Sequence, residues 1–166
     1  MRRKPLAGRR IVITRRAEQA GGLRRALEAR GATVIEFPTI SLAPPQSWRP
    51  LDAAIGRLGE YDWIIFTSAN GVDGFAARLR KNRKTMSALH SALIAAIGPA
   101  TARALRARGL RVHVVPEEYR AEGLLKALAH GRWRGKRVLL VRAARARQVL
   151  PRELRRRGAH VDVLPV

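Results

Sequence analysis

The sequence predicts an α/β protein built on parallel sheets. Short apolar, β-branched runs alternate with longer helical stretches, a pattern typical of parallel sheets covered by helices. A unit of strand, helix and strand also occurs twice, 127 positions apart. Between the two copies, three prolines (Pro44, Pro45 and Pro50) interrupt regular structure, and we expect a linker there.

The expected elements follow from these runs in order along the chain. Strands are predicted near residues 10–14, 33–37, 62–67, 93–97, 111–115, 137–141 and 160–164, where β-branched and apolar residues cluster. Helices are predicted near residues 17–30, 50–58, 70–81, 99–108, 121–130 and 146–157, where apolar residues recur at helical spacing.

The repeat predicts how these elements divide into lobes. A shift of 127 positions places Gly8 on Gly135, Arg15 on Arg142 and Pro38 on Pro165, and the helix leucines match in the same register. We interpret this as duplication of a whole domain. Residues 1–38 would then form an incomplete βαβ start of a first lobe, followed by a linker at 39–49. Residues 50–162 would form a complete second lobe on a five-stranded sheet, and 163–166 would begin a linker that returns to the first lobe.

Two of the predicted strands run directly into loops of small residues that open helices. One strand ends at Thr67 and Ser68, and the other ends at Gly98 and Pro99, two residues before Thr101. A helix that begins at the end of a strand presents unpaired N–H groups and the positive end of its dipole, where anions bind. The loops therefore favour carboxylates or phosphates, although Ser68 and Thr101 would also suit a role as caps of their own helices.

The charge of the chain agrees with an anionic partner. Thirty-four Lys and Arg against twelve Asp and Glu give a formal net charge of +22. Such a field would concentrate nucleic acid, an acidic membrane or a small polycarboxylate. Much of the arginine also falls on outward helix positions, where a solvated face explains it equally well.

Several chemistries lack their usual residues. The chain has no cysteine, which excludes disulfides, thiol catalysis and cysteine-ligated metals. The four histidines show no metal-ligand spacing, and no catalytic triad, Walker loop or dinucleotide fingerprint is present. No stretch has the pattern of a signal peptide or of a transmembrane span, so we expect a soluble, cytoplasmic protein.

Five segments together carry a resemblance to a known family. They are 12–15 (VITR), 61–70 (YDWIIFTSAN), 96–105 (AIGPATARAL), 115–124 (VPEEYRAEGL) and 138–142 (VLLVR). In this order they resemble the N-terminal two thirds of uroporphyrinogen-III synthases. These enzymes close the linear tetrapyrrole hydroxymethylbilane into uroporphyrinogen III, with inversion of the last pyrrole ring and loss of water in haem and porphyrin biosynthesis.

The resemblance implies a fold, a substrate and a set of site residues. It implies two flavodoxin-like lobes, the second inserted into the first, with a substrate of eight carboxylates in the cleft between them. It also implies a monomeric enzyme, a cyclising hydro-lyase, with no cofactor, no metal and no membrane or nucleic-acid partner. The matching catalytic positions are Thr101 and Ser68. The substrate-binding positions that match are Arg15, Thr67, Ser68, Ala69, Asn70, Gly98, Pro99, Ala100, Thr101, Arg142 and Arg147.

The chain also departs from the family pattern at several loops. Ala143 follows Arg142 where glycine is common, Arg16 follows Arg15 where proline is common, and Arg120 stands where serine or threonine is frequent. The tyrosine that the family places after the closing strand would fall beyond Val166. A complete protein is expected to continue for about 90 residues, judging from the units of the repeat that lack a counterpart. The 166-residue chain alone is expected to give only the spontaneous type I isomer.

Two other classes of function remain open at this point. A nucleic-acid-binding protein would share the charge, but aromatic residues for base stacking make up only 5% of the chain. A non-catalytic flavodoxin-like module that binds a small anion would share the fold. Formation of the type III isomer from hydroxymethylbilane would distinguish the synthase from both.

Overall fold

A computed structural model describes residues 4–39, 45–144 and 146–166, with the side chain of Glu18 left out. The chain divides into two compact units, Met1–Pro44 and Pro45–Val166. All strand pairs in both units are parallel. This confirms the predicted α/β class.

The first unit is a single strand, helix and strand. It comprises β1 (Arg10–Ile13), α1 (Ala17–Ala29) and β2 (Thr33–Glu36), and the two strands form a sheet of their own. Few of its apolar side chains are covered, and Val12 and Phe37 are 55% and 65% exposed. A two-stranded sheet offers too little apolar area to bury both of its faces.

The second unit is a four-stranded parallel sheet flanked by helices. Its strands are β3 (Trp63–Phe66), β4 (Leu93–Ala96), β5 (Arg137–Arg142) and β6 (His160–Pro165). Its helices are α2 (Arg49–Gly56), α3 (Ala69–Lys81), α4 (Pro99–Arg106), α5 (Ala121–Ala127) and α6 (Val149–Arg156), with 3-10 turns at Leu58–Glu60 and Met86–Leu89. The strands lie in the order β4-β3-β5-β6.

Both faces of this sheet are buried, so its strands are apolar throughout. Ile64 and Phe66 face a core shared with α2, α3 and α4. Ile65 faces the opposite core, which contains side chains of α5 and α6 and the buried Trp133. Alternate residues of one strand therefore enter different cores, as expected for a parallel sheet with helices on both sides.

The prediction of a fifth strand at residues 111–115 was wrong. This segment makes only an isolated bridge, between Val114 and Ala95 of β4. The imidazole Nδ1 of His113 accepts the N–H of Ile94 at 2.9 Å, so a side chain takes the backbone donor that a regular ladder would use. Pro116 follows directly and supplies no N–H for further pairing.

The predicted linker boundaries also need adjustment. Strand β6 continues to Pro165, so residues 163–165 belong to the sheet and not to a return linker. The reason is that Val163 and Leu164 remain paired with Leu140 and Val141. Helix α2 begins at Arg49, within the expected linker 39–49, and residues 40–44 of that linker lie outside the described residues.

The repeat extends to the pairing register. In the first unit Arg10 pairs with Thr33, and 127 residues later Arg137 pairs with His160. The N–H of Thr33 donates to the Arg9 carbonyl at 2.8 Å, and its counterpart His160 donates to Lys136 at the same distance. The two copies are therefore the same structural unit as well as similar sequences.

Candidate functional site

The candidate site lies at the carboxyl edge of the sheet, between β3 and β5. From β3 the chain continues through α3 to β4 on one side, whereas from β5 it continues through α6 to β6 on the other. Helices α3 and α6 therefore cover opposite faces of the sheet. Such a reversal of strand order leaves a crevice beyond the strand ends, which is where open parallel sheets bind ligands.

A cavity of about 240 Å³ occupies this crevice. Its wall combines the ends of β3 and β5 with the start of α6 and one residue of α5. The lining residues are Thr67, Ser68, Ile97, Ala121, Leu140, Arg142, Ala143, Ala146, Arg147 and Leu150. The four predicted site residues among them are Thr67, Ser68, Arg142 and Arg147.

The loop after β3 places two hydroxyl groups at the cavity. Thr67 extends the pairing with β5, because its N–H and its hydroxyl both donate to the Val141 carbonyl, at 3.1 and 3.3 Å. Ser68 then leaves the ladder in an extended conformation and caps α3, where its Oγ accepts the N–H of Gly71 at 2.9 Å. The capping interpretation of Ser68 is therefore confirmed, and its side chain still reaches the cavity wall.

The next two predicted residues, Ala69 and Asn70, form the first turn of α3. Both are partly buried, and neither lines the cavity. Their contribution at the site is to begin the helix whose N-terminus faces the end of β3.

The loop after β4 stands apart from this cavity, although the resemblance assigns its residues to the site. Only Ile97 lines it, because β4 lies on the far side of β3 from β5. Gly98 is the N-cap residue of α4, and a Cβ built on it would lie 3.2 Å from the Cβ of Tyr119. Pro99 and Ala100 are exposed at the first turn.

The alternative expectation that Thr101 caps its own helix was wrong. Thr101 is the third residue of α4 and is 3% exposed. It lies on the same buried helix face as Ala102 and Leu105, because residues three and four apart share a face. Gly98, and not Thr101, occupies the N-cap position.

Arg142, the last residue of β5, places a buried cation at the site. It is 3% exposed, and burial lowers the pKa of its guanidinium. The Nη1 atom donates to the Arg147 carbonyl at 3.0 Å, Nη2 donates to the Ala146 carbonyl, and Nε donates to the Ala143 carbonyl at 3.3 Å. Within residues 4–39, 45–144 and 146–166, no carboxylate forms an ion pair with it.

Arg147 stands at the rim of the cavity in an ion pair. Its Nη1 lies 3.1 Å from Oε1 of Glu122, in the first turn of α5. The Arg147 side chain is 70% exposed. The other carboxylate oxygen, Oε2 of Glu122, is buried and has no hydrogen-bond partner in the part of the chain that the structure describes. Sequence reasoning missed Glu122 as a site residue, because an acidic residue in a first helical turn ordinarily indicates only a favourable dipole contact.

Arg15, the remaining predicted site residue, belongs to the first unit. The 127-residue shift matches it to Arg142, yet Arg15 is exposed where Arg142 is buried. The difference arises because the loop after β5 folds back over Arg142 and accepts its hydrogen bonds.

The described residues contain no group of three or more His, Cys, Asp or Glu side chains placed to hold a metal ion. Among the helices described, none is long and apolar enough to cross a membrane. The site is a crevice lined by two hydroxyl groups and two arginines, and the Glu122 carboxylate pairs with Arg147 at its rim.

Comparison with known proteins gives consistent matches. A family model described as uroporphyrinogen-III synthase HemD matches residues 22–166. The uroporphyrinogen-III synthase of Synechococcus elongatus is 37% identical over 166 residues, which cover 99% of this chain and 62% of that protein. A putative uroporphyrinogen-III synthase of Methanothermobacter thermautotrophicus is 37% identical over 160 residues, covering 92% of this chain and 59% of that protein.

Solved structures support the same fold. The chain is similar to a mutant uroporphyrinogen III synthase of Thermus thermophilus, with a TM-score of 0.71 at 21% identity, covering 95% of this chain and 61% of that one. The wild-type structure gives a TM-score of 0.62 at 23% identity, with the same coverage. The chain thus spans about three fifths of the length of these relatives.

Proposed function

The chain belongs to the uroporphyrinogen-III synthase family, and we propose that it serves to cyclise hydroxymethylbilane to uroporphyrinogen III. The observation that carries this proposal is the cavity between β3 and β5. It joins two hydroxyl groups to two arginines, one of which, Arg142, is buried without a carboxylate partner among the described residues. The charge of Arg142, which no carboxylate offsets, gives the cavity a positive potential, and this favours an anionic ligand bound at Arg147 and the hydroxyl groups.

The proposed binding residues divide by their distance from the cavity. Ser68, whose Oγ accepts the Gly71 N–H, would donate its own O–H to one substrate carboxylate, and Arg147 would offer a charge to it. The Thr67 hydroxyl would join them by exchanging its bond to the Val141 carbonyl for one to the substrate. The start of α4, where Pro99 and Ala100 are exposed beside the buried Gly98, would bind a second carboxylate through the Ala100 N–H, since Pro99 has none. Ala69 and Asn70 would support the first of these contacts from the start of α3. Thr101 would act indirectly, by packing the first turn of α4 against the core.

In the proposed reaction the substrate supplies most of the electrons. A pyrrole nitrogen expels the hydroxyl group from the terminal hydroxymethyl carbon, so the C–O bond breaks and the leaving hydroxide takes a proton to become water. The electrophilic carbon then bonds to the already substituted pyrrole carbon of the last ring, which gives a spiro intermediate. The bond from that pyrrole carbon to its original bridging carbon breaks, the bridging carbon bonds to the unsubstituted α carbon of the same ring, and the proton lost there balances the proton taken up by hydroxide. The protein's contribution would be to fold a flexible chain, fix its rings and bind its carboxylates.

The proposed enzyme also has an expected location, oligomeric state and partner. We expect a cytoplasmic, monomeric enzyme whose partner is the small polycarboxylate. Arg15 would contribute a further cation from the first unit. Because the chain spans only part of its relatives, we further propose that type III formation requires the portion of those synthases outside the matched region.

An isomer assay tests this function. The 166-residue chain is incubated with hydroxymethylbilane, alone and as a chimera with the unmatched portion of the Synechococcus elongatus synthase. We expect the type I isomer from the chain alone and the type III isomer from the chimera. An Arg147→Gln chimera is expected to form the type III isomer more slowly. A folded chimera that binds the substrate but yields only the type I isomer would instead support a non-catalytic anion-binding module.

A further inference from the structure

Arg142 ends β5 and Arg147 lies in the loop that follows, but the two side chains make opposite kinds of contact. We define the β5 loop as residues 143, 144, 146 and 147. All three guanidinium nitrogens of Arg142 donate to carbonyl oxygens of this loop. Arg147 instead directs its guanidinium away from the loop, to Glu122 on α5.

Three of the five N–H donors of Arg142, one on each nitrogen, are already occupied. A guanidinium presents five N–H groups, and the hydrogen bonds to Ala143, Ala146 and Arg147 use its three nitrogens within a buried site. Because Arg142 is only 3% exposed, its two remaining N–H groups are poorly accessible to a substrate carboxylate while the loop covers them. Arg142 therefore suits the role of holding the β5 loop in place.

Arg147 is held by a contact that is easy to exchange. Its ion pair with Glu122 is largely exposed, and exposed pairs contribute little stability. Only one oxygen of the Glu122 carboxylate takes part in this pair, because Oε2 is buried and lacks a hydrogen-bond partner among the described residues. Because the pair is largely exposed, a ligand carboxylate in the cavity would compete with Glu122 for Arg147.

We propose that Arg142 is a positioning residue that fixes the β5 loop, and that Arg147, released from Glu122, is the cation that binds a substrate carboxylate. This inference rests on the proposed function, because it takes the cavity between β3 and β5 as the carboxylate site. It assigns the two arginines different roles and makes Glu122 a competitor of the ligand.

Binding of uroporphyrin III, a stable octacarboxylate, tests the exchange. The probe is titrated into the 166-residue chain and its fluorescence is followed at fixed ionic strength. Glu122→Gln is expected to lower the Kd by about two- to five-fold, the range that corresponds to loss of one exposed ion pair. Arg147→Gln is expected to raise the Kd and to abolish the effect of Glu122→Gln in the double variant. Arg132→Gln, at an exposed position outside the cavity, serves as the control for general charge.

The role of Arg142 is tested by a conservative variant. Arg142→Lys keeps the charge but places its donors on one nitrogen instead of a planar fork of three, so it cannot reproduce the contacts to Ala143, Ala146 and Arg147, and we expect it to weaken binding as much as Arg142→Met. In both backgrounds Glu122→Gln should have no effect, because Arg147 is no longer held at the rim. Arg142→Lys at parental affinity would show that Arg142 acts through its charge and would overturn the positioning role.

A second measurement does not depend on how these variants fold. The Nε resonances of both arginines are followed by NMR in the unchanged chain as uroporphyrin III is added. We expect Arg147 to shift and Arg142 to remain nearly fixed, and a larger shift at Arg142 would contradict the inference. Failure of the unchanged chain to bind the probe would contradict the proposed function as well. Binding of the probe that is unchanged in Glu122→Gln and in Arg147→Gln would overturn this inference and leave the proposed function standing.

Discussion

Gly158 adopts the same left-handed backbone conformation as Gly31, 127 residues earlier, with φ values of +88° and +95°. Each glycine ends a helix and allows the chain to turn into the second strand of its unit. A Cβ on Gly158 would lie 3.1 Å from the Cα of Arg134, so a side chain at this position would also crowd the backbone of Arg134.

We therefore expect Gly158→Ala to be strongly destabilising. The left-handed conformation alone costs a residue with a Cβ roughly 1–2 kcal/mol, and the contact with the backbone of Arg134 adds to this. Gly135→Ala is the matched control, because Gly135 has a φ of +76° but nothing within 4 Å of the added Cβ. Urea unfolding should give the larger loss of stability for Gly158→Ala, and equal losses would show that the close contact is unimportant.

Ser68 allows stability and binding to be separated. Its Oγ caps α3 through Gly71, so Ser68→Ala should lower the free energy of unfolding by about 0.5–2 kcal/mol, whereas Ser68→Gly should cost only a few tenths. Both variants lack the hydroxyl group and should weaken uroporphyrin III binding to the same extent. If binding followed stability across the two variants, the hydroxyl group would act only as a cap.

Asp52 makes the second unit sensitive to acid. The hydrogen bond from Arg78, followed by that from Asn82, lowers the pKa of the Asp52 carboxyl to about 2. The bonds that these partners give are 2.6 Å from Arg78 Nε and 2.8 Å from Asn82 Nδ2. Because the folded-state pKa is depressed, the stabilisation is present above the ordinary pKa of 3.8 and is lost as the pH falls through about 2.

The test compares Asp52→Asn with the parent chain between pH 4 and pH 2. The parent should lose stability over this interval more steeply than the variant, and Arg78→Met should remove the same part of the slope. Trp48 is a suitable fluorescent reporter, since the Arg78 guanidinium lies 5.0 Å from its ring centroid. Parallel pH profiles for the parent and Asp52→Asn would contradict the assignment.

The two copies of the repeat should differ in local stability. Thr33 and His160 donate equivalent hydrogen bonds of 2.8 Å, so their amides form a matched pair. The sheet of the second unit is buried on both faces, whereas the first unit leaves Val12 and Phe37 largely exposed. We expect the Thr33 amide to exchange its hydrogen at least about ten-fold faster, because less buried apolar area opposes local opening. Equal exchange rates would show that the first unit is as well packed as the second.

The sequence predicted the parallel α/β class, the repeat and most strands, because these depend on local patterns of apolar residues. Burial on both faces makes β3 and β5 continuous apolar runs, which are easily recognised. Of the three loops whose residues the resemblance assigns to the site, those after β3 and β5 meet at the cavity, because these neighbouring parallel strands end at one edge, whereas the loop after β4 contributes only Ile97.

The remaining features depend on side chains that meet only in the folded chain. The missing fifth strand reflects the hydrogen bond between His113 and Ile94, which no strand pattern reveals. Burial of Thr101 depends on which face of α4 meets the core. The pair of Arg147 with Glu122 joins residues 25 positions apart, and their spacing in sequence gives no sign of it.

The central claim is that the crevice between β3 and β5 binds a polycarboxylate, and backbone amide NMR during titration with uroporphyrin III tests it most directly. At physiological ionic strength, where diffuse attraction to the net charge of +22 is screened, we expect the largest shifts at residues 67–68, 142–144 and 146–147. Ser68→Ala and Arg147→Gln should each reduce them. Shifts spread over the exposed helix arginines, with none at the crevice, would contradict the account.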